Sequence, residues 1–239
     1  MPAPHILDRT VWSSLNGRQS NLSLSHGRAV RFDPAYGVFA ATPDENDESL
    51  ADLAALIATH GDIGVFGLDE PKAPPGTVVP LRGAVVQMVA TQPIDPPAAS
   101  FAFLDLVEAD AAEMFALARL TEPGPFFART HHLGAFVGVK QDGRLVAMAG
   151  ERMRPDGFTE LSAVCTHPDS RGHGYAAALS RVVSSRIQAR GDTPFLHAFA
   201  ANHGAIRIYE ALGFAVRQDL AVAVFSMAKD TAPVLPSHD

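Results

Sequence analysis

The sequence predicts an α+β protein with a mixed, mostly antiparallel central sheet flanked by helices, and a smaller α/β lobe at its N-terminal end. Three observations predict it. Short apolar runs bounded by turn residues read as strands and are interspersed with segments of helical period. Two of those runs meet across Asp142-Gly143, a pair that tolerates the positive φ angles of a tight hairpin, so part of the sheet is antiparallel. The third observation is the stretch from Gln92 to Ser100, which carries three prolines that neither a helix nor a central strand accommodates. It divides a lobe over 1–92 from a larger unit over 101–229, with 93–100 as linker and 230–239 as a C-terminal tail.

Taken in order, Arg28 to Phe32 and Tyr36 to Ala41 read as short strands. Ser49 to His60 reads as a helix, with Leu50, Leu53, Ala54 and Ile57 on one face and Gly61 at its end. A strand over Ile63 to Leu68 and an apolar run over Ala84 to Ala90 complete the first lobe, which shows no glycine-rich loop. In the second unit, Phe101 to Val107 reads as a strand and Asp110 to Leu120 as a helix. Ala135 to Lys140 and Arg144 to Met148 form the hairpin, and the turn Pro155-Asp156-Gly157 leads into a strand over Phe158 to Thr166. A helix with Leu179, Val182, Val183 and Ile187 on one face follows, then a strand over Thr193 to Ala200 and a final helix capped by Asn202.

Composition narrows the function. Of 239 residues, 47% are hydrophobic and 19% charged, which is ordinary globular usage. The net charge of −7 repels a phosphate backbone, and no run of Lys or Arg offsets it, so nucleic acid is not an expected partner. Six basic residues stand against eleven acidic ones within 1–100, so the acidity is concentrated there. Cys165 is the only cysteine, which excludes an internal disulfide and gives no reason to invoke an oxidising compartment. There is no basic start followed by an apolar leader, and no apolar stretch of membrane-spanning length. The expectation is a soluble, cytoplasmic protein without a membrane partner; its oligomeric state is open, a dimer included.

The chemistry sits where the strand ending at Thr166 runs into Arg171-Gly172-His173-Gly174-Tyr175-Ala176 and then a helix. A glycine-rich turn entering a helix N-terminus aims several backbone N–H groups at one point, and the helix dipole adds positive charge there. Arg171 adds a cation. The stretch is an anion site by construction. It resembles the pyrophosphate loop of the GNAT superfamily of N-acetyltransferases, Gln/Arg-x-x-Gly-x-Gly/Ala, at every fixed position. Downstream, Asn202, Ala205, Tyr209 and Gly213-Phe214 resemble that superfamily's Asn-x-x-Ala-x-x-x-Tyr-x-x-x-Gly-Phe signature, with Ala205, Ile208 and Leu212 expected to pack inward.

The resemblance covers roughly residues 100–229. It implies the acyl-CoA N-acyltransferase fold and transfer of an acetyl or short acyl group from acetyl-CoA, or a related acyl-CoA, to a primary amine by direct attack. The amine would belong to a small molecule, an amino acid or a peptide. The cofactor's pyrophosphate is expected on Arg171, Gly172, His173, Gly174, Tyr175 and Ala176. Its pantetheine is expected along the backbone of Ala163, Val164 and Cys165, and Asn202 is counted among the cofactor-contacting residues. The 1–92 lobe then reads as a degenerate second acetyltransferase-like unit, an arrangement similar to glycine N-acyltransferase.

Attack on a thioester requires an unprotonated amine and a protonated leaving thiolate. Glu160, on the strand leading to the loop, lies where resembling enzymes place a general base; the competing reading is a surface carboxylate opposite Arg144 or Arg152. Tyr209 holds the position of the family's proton donor to the thiolate; the competing reading is an amphipathic tyrosine that only packs. His197 is a reserve base. Cys165 offers a covalent alternative, against which stands its apolar strand setting. None of His131, His132, His167, His197 and His203 shows metal-ligand spacing, so no metal is expected. Two other functions compete. Gly172-His173-Gly174-Tyr175-Ala176-Ala177 with Asp192 satisfies a relaxed dinucleotide fingerprint, hence an NAD(P)-dependent oxidoreductase, and a non-catalytic CoA-binding regulatory protein would keep the cradle without the transfer.

Overall fold

The computed structural model describes residues 5–96 and 101–228. The proposed tail over 230–239 and the last part of the 93–100 linker lie outside the described residues.

A short helix α1 (Thr10–Leu15) precedes a small antiparallel sheet of β1 (Ser23–His26), β2 (Ala29–Phe32) and β3 (Ala40–Ala41). Helix α2 (Asp47–His60) is capped by Asn46, whose side chain accepts from the Ser49 N–H at 2.9 Å, and closes at Gly61. Next come β4 (Ile63–Gly67), β5 (Thr77–Ala90), the short edge strand β6 (Leu104–Asp105) and α3 (Ala111–Thr121). The chain then forms β7 (Phe136–Gln141), β8 (Arg144–Glu151), β9 (Phe158–Thr166), α4 (Tyr175–Ala189), β10 (Thr193–Phe199), α5 (His203–Ala211) and β11 (Phe214–Met227).

Eight of these strands make one sheet in the order β4-β11-β5-β10-β9-β8-β7-β6. Only β9 and β10 pair in parallel, so the sheet is mixed and mostly antiparallel as predicted. The β7–β8 hairpin turns through Asp142 at φ 49° and Gly143 at φ 80°, the two positive angles that the Asp-Gly pair supplies. Strands β4 and β5, from the N-terminal side of the proline-rich stretch, are hydrogen-bonded to β10 and β11 within this sheet. β5 continues through Pro80, where the pairing with β11 shifts between Val224 and Ser226, an irregularity that admits a residue without an N–H donor. The described part of the linker is docked on α4: Ile94 is buried and its N–H donates to Gln188 Oε1 at 2.8 Å.

One sheet face carries α4 and α5. Leu179, Val182, Val183 and Ile187 of α4 pack on Val137, Ala147, Leu161, Met88 and Leu196, with Ile206, Tyr209 and Leu212 alongside. The inward face of α5 therefore differs from expectation: Ile208 points to solvent and Ile206 takes its place, because the helix is rotated to bring Tyr209 and Leu212 inward together. The opposite face is covered in three patches. α3 packs Met114, Leu117 and Ala118 on β7–β9. The N-terminal segment packs Leu7, Val11 and Leu15 near Phe195, and α2 packs Leu53, Leu56 and Ile57 on β4 and β11.

Candidate active site

Strands β9 and β10 pair only over Phe158–Glu160 with Thr193–Phe195, and then part. Past that point β9 carries Ala163 at φ 53°, and its pairing with β8 shifts between Met148 and Gly150. A non-glycine residue in the left-handed region is strained, and such strain marks a place where the fold over-determines the backbone. The result is a cleft between two parallel strands, in which the backbone of Ser162–Cys165 has no ladder partner on the β10 side.

The C-terminal end of β9 leads to the glycine-rich loop. Gly172 and Gly174 have φ of 83° and 75°, and a Cβ built on either meets nothing within 4 Å, so both face open space. Gly174 is the N-cap of the 15-residue α4 and offers no side-chain cap, which leaves the N–H groups of the first turn available to a ligand. Arg171 through Gly174 are exposed, and Arg171 makes no ion pair among the described residues. Tyr175 differs: its ring is buried and its hydroxyl accepts from Gln141 Nε2 at 2.9 Å, so only its backbone faces the loop. His173 stacks on that ring, with Nδ1 3.1 Å from the Ser170 carbonyl. Asn202 caps α5 by accepting from Ala205 N–H at 3.1 Å. An open glycine backbone, an uncapped helix terminus and an exposed arginine together fit a pyrophosphate.

Glu160 lies at the apex of the cleft and is fully buried, not a surface carboxylate. Arg152 Nε and Nη2 donate to its two oxygens at 2.9 and 2.7 Å, and Met153 N–H adds a contact at 3.3 Å. His197 Nδ1 approaches Oε1 at 2.8 Å from β10. Burial raises the carboxyl pKa, but the Arg152 charge and the hydrogen bonds from Arg152 and His197 outweigh it and hold the group at about 2. The network runs further than the sequence reading foresaw. Gln87 on β5 contacts His197 Nε2 through its amide nitrogen at 3.1 Å, Arg217 donates to Gln87 Oε1 at 2.8 Å, and Asp8 holds Arg217. The available signal for Gln87 is a lone amide in the apolar run Val85-Val86-Gln87-Met88-Val89, since a buried amide must find partners.

Tyr209 sits on the other sheet face, in the apolar cluster that includes Val164 of β9 and Ala198 of β10. Burial pushes its hydroxyl up to about 12, so it stays protonated at neutral pH. Glu160 and Tyr209 thus flank the cleft from opposite faces. Cys165 points under α3 among Met114, Leu117 and Met148, and burial pushes its thiol up to about 11, which suits a core residue and not a nucleophile. Asp192 is bound by Arg18 at 2.9 and 2.8 Å and by Thr159 at 2.6 Å at the start of β10, away from the glycine loop, where it cannot serve a ribose. Glu108, His131 and His132 bring one ligand atom each within 4.8 Å of one another, but among the described residues the buried His131 Nδ1 has no partner to orient a metal-bound ring.

The chain is 42% identical to a GNAT-family protein from Novosphingobium aromaticivorans DSM 12444, over 95% of its own length and 100% of the other chain, with a TM-score of 0.88. The chain belongs to the GNAT family of acetyltransferases. A family model described as FR47-like protein matches residues 136–222, which span β7 to β11. Two further structures share the fold: a GCN5-related N-acetyltransferase from Kribbella flavida (21% identity, 96% and 98% of the two chains, TM-score 0.62) and a GCN5-related N-acetyltransferase-like protein from Streptococcus suis 89/1591 (15%, 90% and 92%, TM-score 0.61). No curated protein matches the chain. Among the described residues, no helix of this GNAT acetyltransferase is long and apolar enough to cross a membrane.

Proposed function

We propose that this GNAT acetyltransferase moves an acetyl or short acyl group from acyl-CoA to a primary amine by direct attack within the β9–β10 cleft. The observation that carries the reading is the continuity of three features: unpaired β9 backbone at Ser162–Cys165, the open Gly172–Gly174 loop, and the uncapped N-terminus of α4. Acyl-CoA supplies the activated thioester. The loop from Arg171 to Ala176 holds the pyrophosphate through backbone N–H groups, and the free β9 edge holds the pantetheine amides as an added strand. A β9 N–H near Val164 polarises the thioester carbonyl.

Protons then move on both faces of the sheet. The Tyr209 hydroxyl donates to the departing thiolate, and the Glu160–His197 pair takes the proton that the amine must lose. The measurement is calorimetry with acetyl-CoA on the wild type and on Gly174→Val, whose β-branched side chain is strained at φ 75° and fills the space above the loop. Loss of binding in a variant that keeps its circular dichroism spectrum supports the site. Equal affinity in both refutes it.

A further inference from the structure

We propose that His197 is the residue that accepts the amine's proton, and that the cavity above its imidazole, walled by the N-terminal segment, is the binding site for a small primary alkylamine. The proposal rests on the acetyl-transfer reading and adds the base and the acceptor class to it.

The two oxygens of Glu160 are committed to Arg152, Met153 and His197, and its side chain is 0% exposed, so it has no path to an amine. His197 does. Its ring borders a cavity of about 160 Å³ whose walls include Leu7, Val11 and Trp12 of the N-terminal segment, Phe66 of β4 and Leu220 of β11. A space of about 150 Å³ accommodates a benzene-sized molecule, so the recess, which is also open to solvent, takes the body of an acceptor of roughly six heavy atoms. The walls are about equally polar and apolar; Asp8 is paired with Arg217 and Asp44 with Arg28, so Glu45, which makes no ion pair among the described residues, is the carboxylate left to meet a cationic end, with Arg9 nearby.

The network also sets the proton on His197. Arg217 donates to Gln87 Oε1, which turns the amide NH₂ of Gln87 toward His197 Nε2. A donor at that place requires a lone pair on Nε2, so the ring hydrogen sits on Nδ1 and is donated to Glu160. Stacking on Phe66 (4.7 Å, 12°) and an edge contact with Phe195 (5.7 Å, 88°) fix the ring plane. The Gln87 contact is replaceable, because its NH₂ also reaches the Leu7 carbonyl at 2.9 Å and Thr10 Oγ1 at 3.3 Å. An arriving ammonium takes over Nε2 without orphaning the amide.

The balance closes. The ammonium gives one proton to Nε2, and the imidazolium so formed is flanked by the Glu160 carboxylate. The free amine attacks the thioester carbon, the N–C bond forms, the C–S bond breaks, the Tyr209 hydroxyl protonates the departing thiolate, and the second amine proton restores the Tyr209 hydroxyl. His197 returns its proton to solvent. The charged groups that face His197 are Glu160 from β9, Arg152 after β8, Arg217 from β11, and Asp8 and Arg9 from the N-terminal segment, with Asp44 and Glu45 at the cavity wall.

The test uses n-butylamine as acceptor and follows thiol release from acetyl-CoA between pH 6 and pH 10. His197→Asn is expected to lower kcat by at least 100-fold at pH 6–7.5, to recover as pH approaches 10 and free amine accumulates, and to leave the acetyl-CoA Kd within about twofold. Ala41→Trp, which fills the cavity from β3, is expected to raise the butylamine KM at least 10-fold with acetyl-CoA affinity unchanged. Should either variant misfold, ¹⁵N-histidine spectra of the wild type decide: Nδ1 protonated and Nε2 bare at pH 7 supports the proposal, and the reverse tautomer overturns it. Wild-type acetyl-CoA binding without butylamine turnover refutes the acceptor class, and a His197→Asn profile parallel to wild type refutes the base. Failure of the wild type to bind acetyl-CoA at all refutes instead the acetyl-transfer reading beneath it.

Discussion

Replacing Glu160 by glutamine removes a carboxylate that is 0% exposed while leaving the Arg152 guanidinium that it compensates. The folded-state pKa is about 2 against an ordinary 4.5, because Arg152 and His197 favour the ionised form more than burial opposes it. A depressed folded pKa contributes stability above the unfolded value and loses it as pH falls from about 4.5 toward 2. At about 1.4 kcal/mol per pKa unit, that contribution is about 3 kcal/mol at pH 7 and about 1 kcal/mol at pH 3. Stranding a buried partner charge costs a similar amount, about 3–5 kcal/mol. Glu160→Gln is therefore expected to be less stable than wild type by about 3 kcal/mol at pH 7, with the gap narrowing by about 2 kcal/mol at pH 3. Urea denaturation at pH 7, 5, 4 and 3 measures both. A gap that stays constant across that range means that Glu160 does not titrate with a depressed pKa, and the electrostatic account of the site falls.

Three further outcomes are expected. Tyr209→Phe lowers kcat by roughly 10- to 10,000-fold with acetyl-CoA affinity little changed, and a calorimetric loss of CoA binding would reassign the hydroxyl to the cofactor. Cys165→Ala keeps kcat and costs about 1 kcal/mol of stability, since the thiol packs under α3; mass spectrometry of the wild type after mixing with acetyl-CoA alone would reveal any acyl-cysteine and contradict this. Cleavage by a protease within the proposed linker over 93–100 yields fragments that co-elute on gel filtration until denaturant is added, because β5 lies between β10 and β11; immediate separation would show that the two proposed units are held by the chain alone.

The catalytic framework was legible because its signals are local. The Asp-Gly hairpin, the glycine loop before α4 and the Asn202 cap each fit within a few residues, and each is where the spacing puts it. Elements without a local signature were missed or misjudged. α1 is six residues long, too short for helical period to show, and the strand expected over Phe101 to Val107 reduces to Leu104–Asp105 at the sheet edge, where one side has no ladder to extend. The strand expected from Tyr36 reduces to Ala40–Ala41, since the chain turns through Asp33–Gly37 with Tyr36 N–H on the Asp33 carbonyl. Burial of Glu160 could not be read from strand alternation, because its neutralising partners come from Arg152 across a turn and His197 on another strand.

The N-terminal segment shows why the site and the sheet cannot be separated physically. Asp8 holds Arg217 of β11, Arg217 orients Gln87 of β5, and Gln87 in turn holds the segment by donating its amide N–H to the Leu7 carbonyl. The same hydrogen bonds that dock residues 5–15 on the sheet therefore fix which nitrogen of His197 carries its proton. In a low-dielectric interior such a chain is stable only when every member is satisfied, and both Gln87 and Glu160 are fully buried with all their polar atoms partnered. Docking and protonation state are thus coupled: the proposed acceptor, on replacing Gln87 at Nε2, leaves the amide to the Leu7 carbonyl and Thr10 Oγ1, the bonds that keep the cavity wall docked.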